Sequence, residues 1–98
     1  MAKINWTFEA EQWLKDIHDY IEKDNPQAAV RVVEGIYEHV QILKDNPHIG
    51  YQYNLLTKKN IRILLFGHYR IAYLVKIDRS VDILGVFHGA LDIDKYLL

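Results

Sequence analysis

The stretch from Ile61 to His88, IRILLFGHYRIAYLVKIDRSVDILGVFH, constrains the fold more than any other part of the chain. Its pieces are rich in β-branched, aromatic and aliphatic residues, which fit a pleated, half-buried surface. Gly67-His68 and Asp78-Arg79-Ser80 interrupt it with the residue types of hairpin connections, so three consecutive antiparallel strands are expected. Side chains alternate across a sheet. Ile61, Ile63 and Leu65 are therefore expected opposite in face to Arg62, Leu64 and Phe66. In the second strand Tyr69, Ile71, Tyr73, Val75 and Ile77 oppose Arg70, Ala72, Leu74 and Lys76. In the third, Val81, Ile83, Gly85 and Phe87 oppose Asp82, Leu84, Val86 and His88. Gly85 in mid-strand marks a bulge or a close backbone approach. Apolar residues on both faces imply helices on one side and partial cover on the other. Arg62, Arg70, Lys76 and His88 are groups for which a purely structural sheet has little need, so function is sought here.

The N-terminal half supplies the helices. Lys3-Ile4-Asn5-Trp6 alternates polar and apolar residues and reads as a short first strand. Thr7 can cap the helix that follows, with Glu9 and Glu11 where the helix dipole favours negative charge. Ala10, Trp13, Leu14, Ile17 and Ile21 recur at spacings of three and four and form one apolar stripe. His18 falls among the polar positions. Asn25-Pro26 ends this helix and starts another, with Asn25 as cap and Pro26 at the first helical position, where its missing donor costs nothing. Ala29, Val33, Ile36, Tyr37, Val40 and Leu43 form the second stripe, with Val30 and Val32 off it. So short a connection requires an antiparallel helix hairpin.

Residues 47–60, PHIGYQYNLLTKKN, hold no period and read as a loop with two exposed tyrosines or as an unrecognised short strand. Lys58-Lys59 is the densest positive spot. After Gly89 the tail reads as a short helix or an extended arm. Leu91, Ile93, Tyr96, Leu97 and Leu98 are too apolar to stay in water, so they should dock on the sheet or on a second protein.

A chain of 98 residues is expected to form a single domain over its whole length, residues 1–98. It has no cysteine, which excludes disulfides and thiolate chemistry. No N-terminal apolar run or long apolar segment is present, so a soluble protein of the cytoplasm is expected. The net charge of −1 divides unevenly: residues 1–50 carry five Lys/Arg against nine Asp/Glu, residues 51–98 seven against four. The second half could face an anion, but the excess falls short of a dedicated nucleic-acid domain. The five histidines, at 18, 39, 48, 68 and 88, lack close ligand spacing, and His88 with Asp92 and Asp94 is unspecific. No metal or other cofactor is assigned.

The order of these segments, together with particular motifs, resembles the RelE/ParE superfamily of bacterial type II toxin-antitoxin toxins. The motifs are Asp19-Tyr20-Ile21 in the first helix, Pro26-x-Ala28-Ala29 opening the second and Asn46-Pro47-x-x-Gly50 closing it. In the sheet they are Tyr69-Arg70-Ile71-x-Tyr73 and Val81-x-Ile83-Leu84-x-Val86-x-His88-Gly89. The similarity spans nearly the whole chain and lies closer to the ParE branch.

The resemblance implies an α+β fold of order β-α-α-β-β-β, with the helix hairpin on an antiparallel sheet. It also implies a cognate antitoxin partner and one of two activities, both leading to growth inhibition and plasmid stabilisation. ParE-like members inhibit DNA gyrase by binding. RelE-like members are metal-independent, ribosome-dependent mRNA endoribonucleases. Catalysis of that kind needs acid, base and cations, for which Arg62, Arg70 and His88 are the candidates. Lys58, Lys59, Arg62, Tyr69, Arg70, Leu91 and Tyr96 are the candidate binding residues. Arg70 has a second reading, an ion pair with Asp82 on the neighbouring strand, and His88 one as a strand-end histidine. Relatives often read His-x-x-Arg-Asp where this chain has His88-Gly89-Ala90-Leu91-Asp92. Slight overall acidity weighs against a polyanion-binding nuclease, so the expected function is ParE-like, with an inactive relative and a homodimer left open.

Overall fold

The computed structural model describes residues 2–53, 59–89 and 93–97, with Asp94 and Leu97 described by backbone alone. In chain order it forms β1 (Ile4–Trp6), α1 (Phe8–Glu22), α2 (Pro26–Val40), a 3-10 turn (Gln41–Lys44), β2 (Tyr51–Gln52), β3 (Asn60–Phe66), β4 (Tyr69–Val75), β5 (Val81–His88) and α3 (Asp94–Leu97). The α+β architecture expected from the sequence is present. The sheet order is β1-β5-β4-β3-β2. β3, β4 and β5 form the antiparallel meander, and β2 extends it antiparallel at one edge. β1 joins the other edge in parallel, through Ile4 opposite Val81 to Trp6 opposite Ile83, so the sheet is mixed.

Local chemistry sets the helix boundaries. Thr7 Oγ1 accepts from the Ala10 amide at 3.1 Å and donates to the Ile83 carbonyl at 2.7 Å, which starts α1 and pins it to β5. Asn25 Oδ1 accepts from the Ala28 amide at 3.1 Å, with Pro26 opening α2. The Tyr37 hydroxyl donates to Glu11 at 2.6 Å and its ring packs 4.6 Å from that of Trp6, joining both helices to β1.

The helix hairpin covers one face of the sheet. Ala10 and Leu14 of α1, Ile36 and Val40 of α2, and Leu43 bury against Leu64, Ile71, Tyr73, Val81, Ile83 and Val86. Val32 packs at the margin of this core, whereas Val30 is exposed. The reverse face is covered by the tail: Ile93 is buried with Ile63, Ala72 and Phe87, and Trp13, Tyr53 and Leu84 pack around them. Tyr53 is thus half-buried, contrary to its expected exposure, and Tyr51 alone of the pair is exposed.

Two expectations about the sheet need correction. β4 and β5 shift register between Ala72, opposite Gly85, and Tyr73, opposite Ile83, which leaves Leu84 as an extra residue. This bulge breaks the alternation. Val86 joins Val81 and Ile83 in the helix-side core, while Phe87 joins Leu84 on the reverse face. The register also puts Arg70 opposite Phe87 and Leu74 opposite Asp82. Asp82 is held by Lys76 at 3.1 Å and by the Asn5 amide at 3.2 Å, so it is Lys76 that forms the cross-strand ion pair.

Candidate protein-binding groove and the surrounding polar groups

β1 pairs with β5 only as far as Ile83, so α1 rather than a strand borders the end of β5 that runs to His88. Trp13 closes this border from α1. Its ring sits edge-on to Phe87 at 4.7 Å and to Tyr96 at 4.8 Å. Beyond it, Trp13, Ile17, Tyr20 and Ile21 face Tyr69 and Val86 across a groove of about 490 Å³, with Asp16 and His88 at its polar margin. Tyr20 is 75% exposed, a large ring with no cover. Concavity, an apolar floor and a few polar margins suit the apolar side of a peptide segment.

The same end of these strands carries a polar cluster. The Gly67-His68 turn, in which Gly67 takes a φ of 58°, brings His68 beside His88 with ring centroids 6.5 Å apart. Tyr69 stands edge-on to His88 at 6.0 Å, and burial pushes its phenol pKa up. Arg70 Nη2 donates to the Gly89 carbonyl at 3.2 Å. Together these groups line a cavity of about 390 Å³ with Leu65 and Gly67. An arginine and two imidazoles around one concavity can offer hydrogen-bond donors to an anion.

Arg62 does not belong to this cluster. It lies opposite Tyr73, whereas Arg70 lies opposite Leu65, so the two arginines point to opposite faces of the sheet. Its Nε donates to Asn60 Oδ1 at 3.1 Å, and its Nη1 to the carbonyls of His48 at 3.0 Å and Gly50 at 2.8 Å. The guanidinium therefore ties down the chain that leads into β2. Lys59 is exposed and lines a separate cavity beside Lys76 and Arg79. Tyr96, half exposed, stacks on Phe87 at 5.8 Å and meets Trp13 edge-on. Lys58, Leu91 and Asp92 lie outside the described residues.

Residues 4–93 match the family model described as the ParE toxin of the type II toxin-antitoxin system parDE. The chain belongs to this ParE toxin family. Y4kP of Sinorhizobium fredii, a protein named as a candidate toxin, is 38% identical over 87 residues, covering 89% of this chain and 88% of Y4kP. The solved chromosomal ParDE system of P. aeruginosa superposes with a TM-score of 0.75 at 23% identity, covering 90% of this chain and 96% of the other. The RelBE2 toxin-antitoxin complex of Mycobacterium tuberculosis follows at 0.55 and 23%, covering 89% and 96%. At that identity the two structures establish the shared fold.

Within this ParE-family chain, sequence reasoning found Tyr69, Arg70 and His88, which the structure brings together, and Arg62, which it separates from them. It missed the approach of His68 to His88, which depends on a two-residue turn, and the position of Tyr20 at the groove, which depends on where β1 stops. His18, Asp19 and Glu22 also went unnoticed as a group whose ligand-type atoms lie within 4.8 Å of one another. Their placement is explained by helix-surface pairing, with His18 Nδ1 3.2 Å from Asp19, and Lys15 donating to Asp19 at 2.6 Å. Among the described residues no helix is long and apolar enough to cross a membrane.

Proposed function

We propose that this toxin acts by binding and inhibiting DNA gyrase and is neutralised in the cytoplasm by a cognate antitoxin whose folded-on-binding segment fills the α1–β5 groove. The observation that carries the antitoxin half is the groove itself: an apolar floor beside an incompletely paired β5, topped by the exposed Tyr20. Such a surface fits an amphipathic helix or an added strand. The relatives solved as toxin-antitoxin systems support a partner of this kind. The gyrase half is supported by the match to the ParE model over residues 4–93 and by the separation of Arg62 from Arg70 and His88. The deciding experiment is supercoiling by purified gyrase with increasing toxin, with and without a cognate antitoxin. Unchanged supercoiling at excess toxin would eliminate gyrase as the target.

A second reading, ribosome-dependent cleavage of mRNA, is favoured by the clustering of His68, Arg70 and His88. In it Arg70 would steady phosphate charge and His88 would transfer the proton. Mapping of transcript ends after induction tests it. If His88→Ala leaves cleavage intact, His88 has no such role.

A further inference from the structure

We propose that the β4–β5 turn, with Ile77 at its tip and Arg79 beside it, is the surface by which the toxin grips its target, an acidic protein face carrying an apolar socket. The proposal rests on the reading above that the toxin acts by binding a protein. Ile77 is 105% exposed, the most exposed large apolar side chain among the described residues. The turn around it is not loose. The Lys76 amide donates to the Ser80 carbonyl at 2.9 Å, the Arg79 amide to the Lys76 carbonyl at 2.9 Å, and both the amide and hydroxyl of Ser80 to Asp78 Oδ1 at 2.9 and 2.6 Å. Ile77 is thus held outward on a rigid mount.

Arg79 adds a second anomaly. Its φ of 71° is the one left-handed backbone angle of a non-glycine among the described residues. That conformation is strained for arginine and is ordinarily taken by Gly, Asn or Asp. A turn shaped only for stability would carry glycine there and a polar residue at 77. The left-handed arginine costs stability, and strain retained at a surface site points to a use for the side chain.

Charge indicates what the surface fits. Ile77 and Arg79 border a trough of about 800 Å³ whose floor includes Leu74 and Val75 and whose rim includes Lys59 and Lys76. Asp78 is held within the turn, where the Ser80 hydrogen bonds keep its carboxyl below the usual range, and Asp82 and Lys76 pair with each other, which leaves Arg79 as the cation beside Ile77. On the far side of Arg79 a smaller cavity brings in Lys44 and Asp45. The surface therefore presents an apolar knob with a positive excess of one, from Lys59, Lys76 and Arg79 against Asp78 and Asp82. A nucleic acid would gain from the cations but not from burying Ile77, whereas a carboxylate-rimmed apolar socket gains from both. This trough is separate from the α1–β5 groove, so target and antitoxin use different sides.

The test compares the full chain with Ile77→Asp, Arg79→Glu and Arg79→Gly in four measurements: growth arrest in a bacterial host, inhibition of gyrase supercoiling, antitoxin binding and thermal melting. The expected result is that every variant loses at least about tenfold in growth arrest and gyrase inhibition, while antitoxin affinity is unchanged. Ile77→Asp should melt with the wild type and Arg79→Gly several degrees higher. Full potency in the variants overturns the surface and leaves the gyrase reading standing. Variant-sensitive growth arrest without any effect on gyrase sustains the surface and removes gyrase. Binding of a labelled single-stranded RNA 20-mer that the variants lose would assign the trough to nucleic acid and overturn the proposal. A wild-type chain that neither arrests growth nor touches gyrase overturns it as well.

Discussion

Replacing Arg62 by alanine separates a structural arginine from a catalytic one. The guanidinium makes three hydrogen bonds, two of them to the main-chain carbonyls of His48 and Gly50 at 3.0 and 2.8 Å. Hydrogen bonds to a charged group contribute about 1.5–3 kcal/mol each when buried. Arg62 is only half-buried, so solvent reduces this to about 1 kcal/mol per bond, or about 2–3 kcal/mol for the set. In a domain of this size each kcal/mol shifts the melting temperature by about 4–8 °C, so Arg62→Ala should melt roughly 10–20 °C lower. Arg62→Lys supplies a point donor without the fork and should recover less than half. Circular dichroism melts measure this, with growth arrest scored per amount of folded toxin. Arg62→Ala melting within about 2 °C of the wild type, with growth arrest abolished, would refute the structural assignment and return Arg62 to the chemistry.

Gly50→Ala should be more costly than an ordinary glycine substitution. Its Cβ would lie 2.6 Å from the Ile63 carbonyl oxygen and 2.7 Å from the Tyr73 hydroxyl, so a loss of about 2–3 kcal/mol is expected in chemical denaturation. Tyr37 makes stability pH-dependent. Burial first, then its bond to Glu11, raise its pKa from 10.0 to about 12. Its contribution is therefore complete below pH 10 and lost as pH rises towards 12. Denaturation series from pH 9 to 12 should show Tyr37→Phe less stable at the low end and the gap closing at the high end. Tyr20→Asp, at the exposed rim of the groove, should weaken antitoxin binding at least about tenfold and leave the melt unchanged. Calorimetric titration with the antitoxin reads this, and wild-type affinity would remove Tyr20 from the interface.

Most of the fold was legible because it depends on short-range chemistry. Thr7 and Asn25 cap the helices they precede, the stripes of α1 and α2 bury as their spacing requires, and Gly67-His68 makes the hairpin turn its composition indicates. What escaped depends on pairing between distant strands. Gly85 signalled a bulge, but the side on which each later residue emerges is decided only by where the extra residue falls, at Leu84. β2 was hard to see because a two-residue edge strand, Tyr51–Gln52, has no period to read. The parallel attachment of β1 to β5 is equally non-local, since three residues carry no mark of strand direction.

These same long-range pairings organise the candidate site. Without the bulge Val86 would face the tail and Phe87 the helices, and the seat for Trp13 and Tyr96 on the Phe87 ring would be lost. The glycine is what permits this arrangement, because the Phe87 ring folds back over position 85 and a Cβ there would lie 2.4 Å from its Cζ atom. The shift also fixes the last pair of the ladder, Tyr69 opposite His88. It thereby joins the groove to the polar cluster at one end of β5. Register, more than residue type, decides where the polar side chains of this sheet come to lie. Arg62 is drawn into the loop before β2, Lys76 into a pair with Asp82, and Arg70 to the Gly89 carbonyl, where with His88 it lines the cavity beside the Gly67-His68 turn.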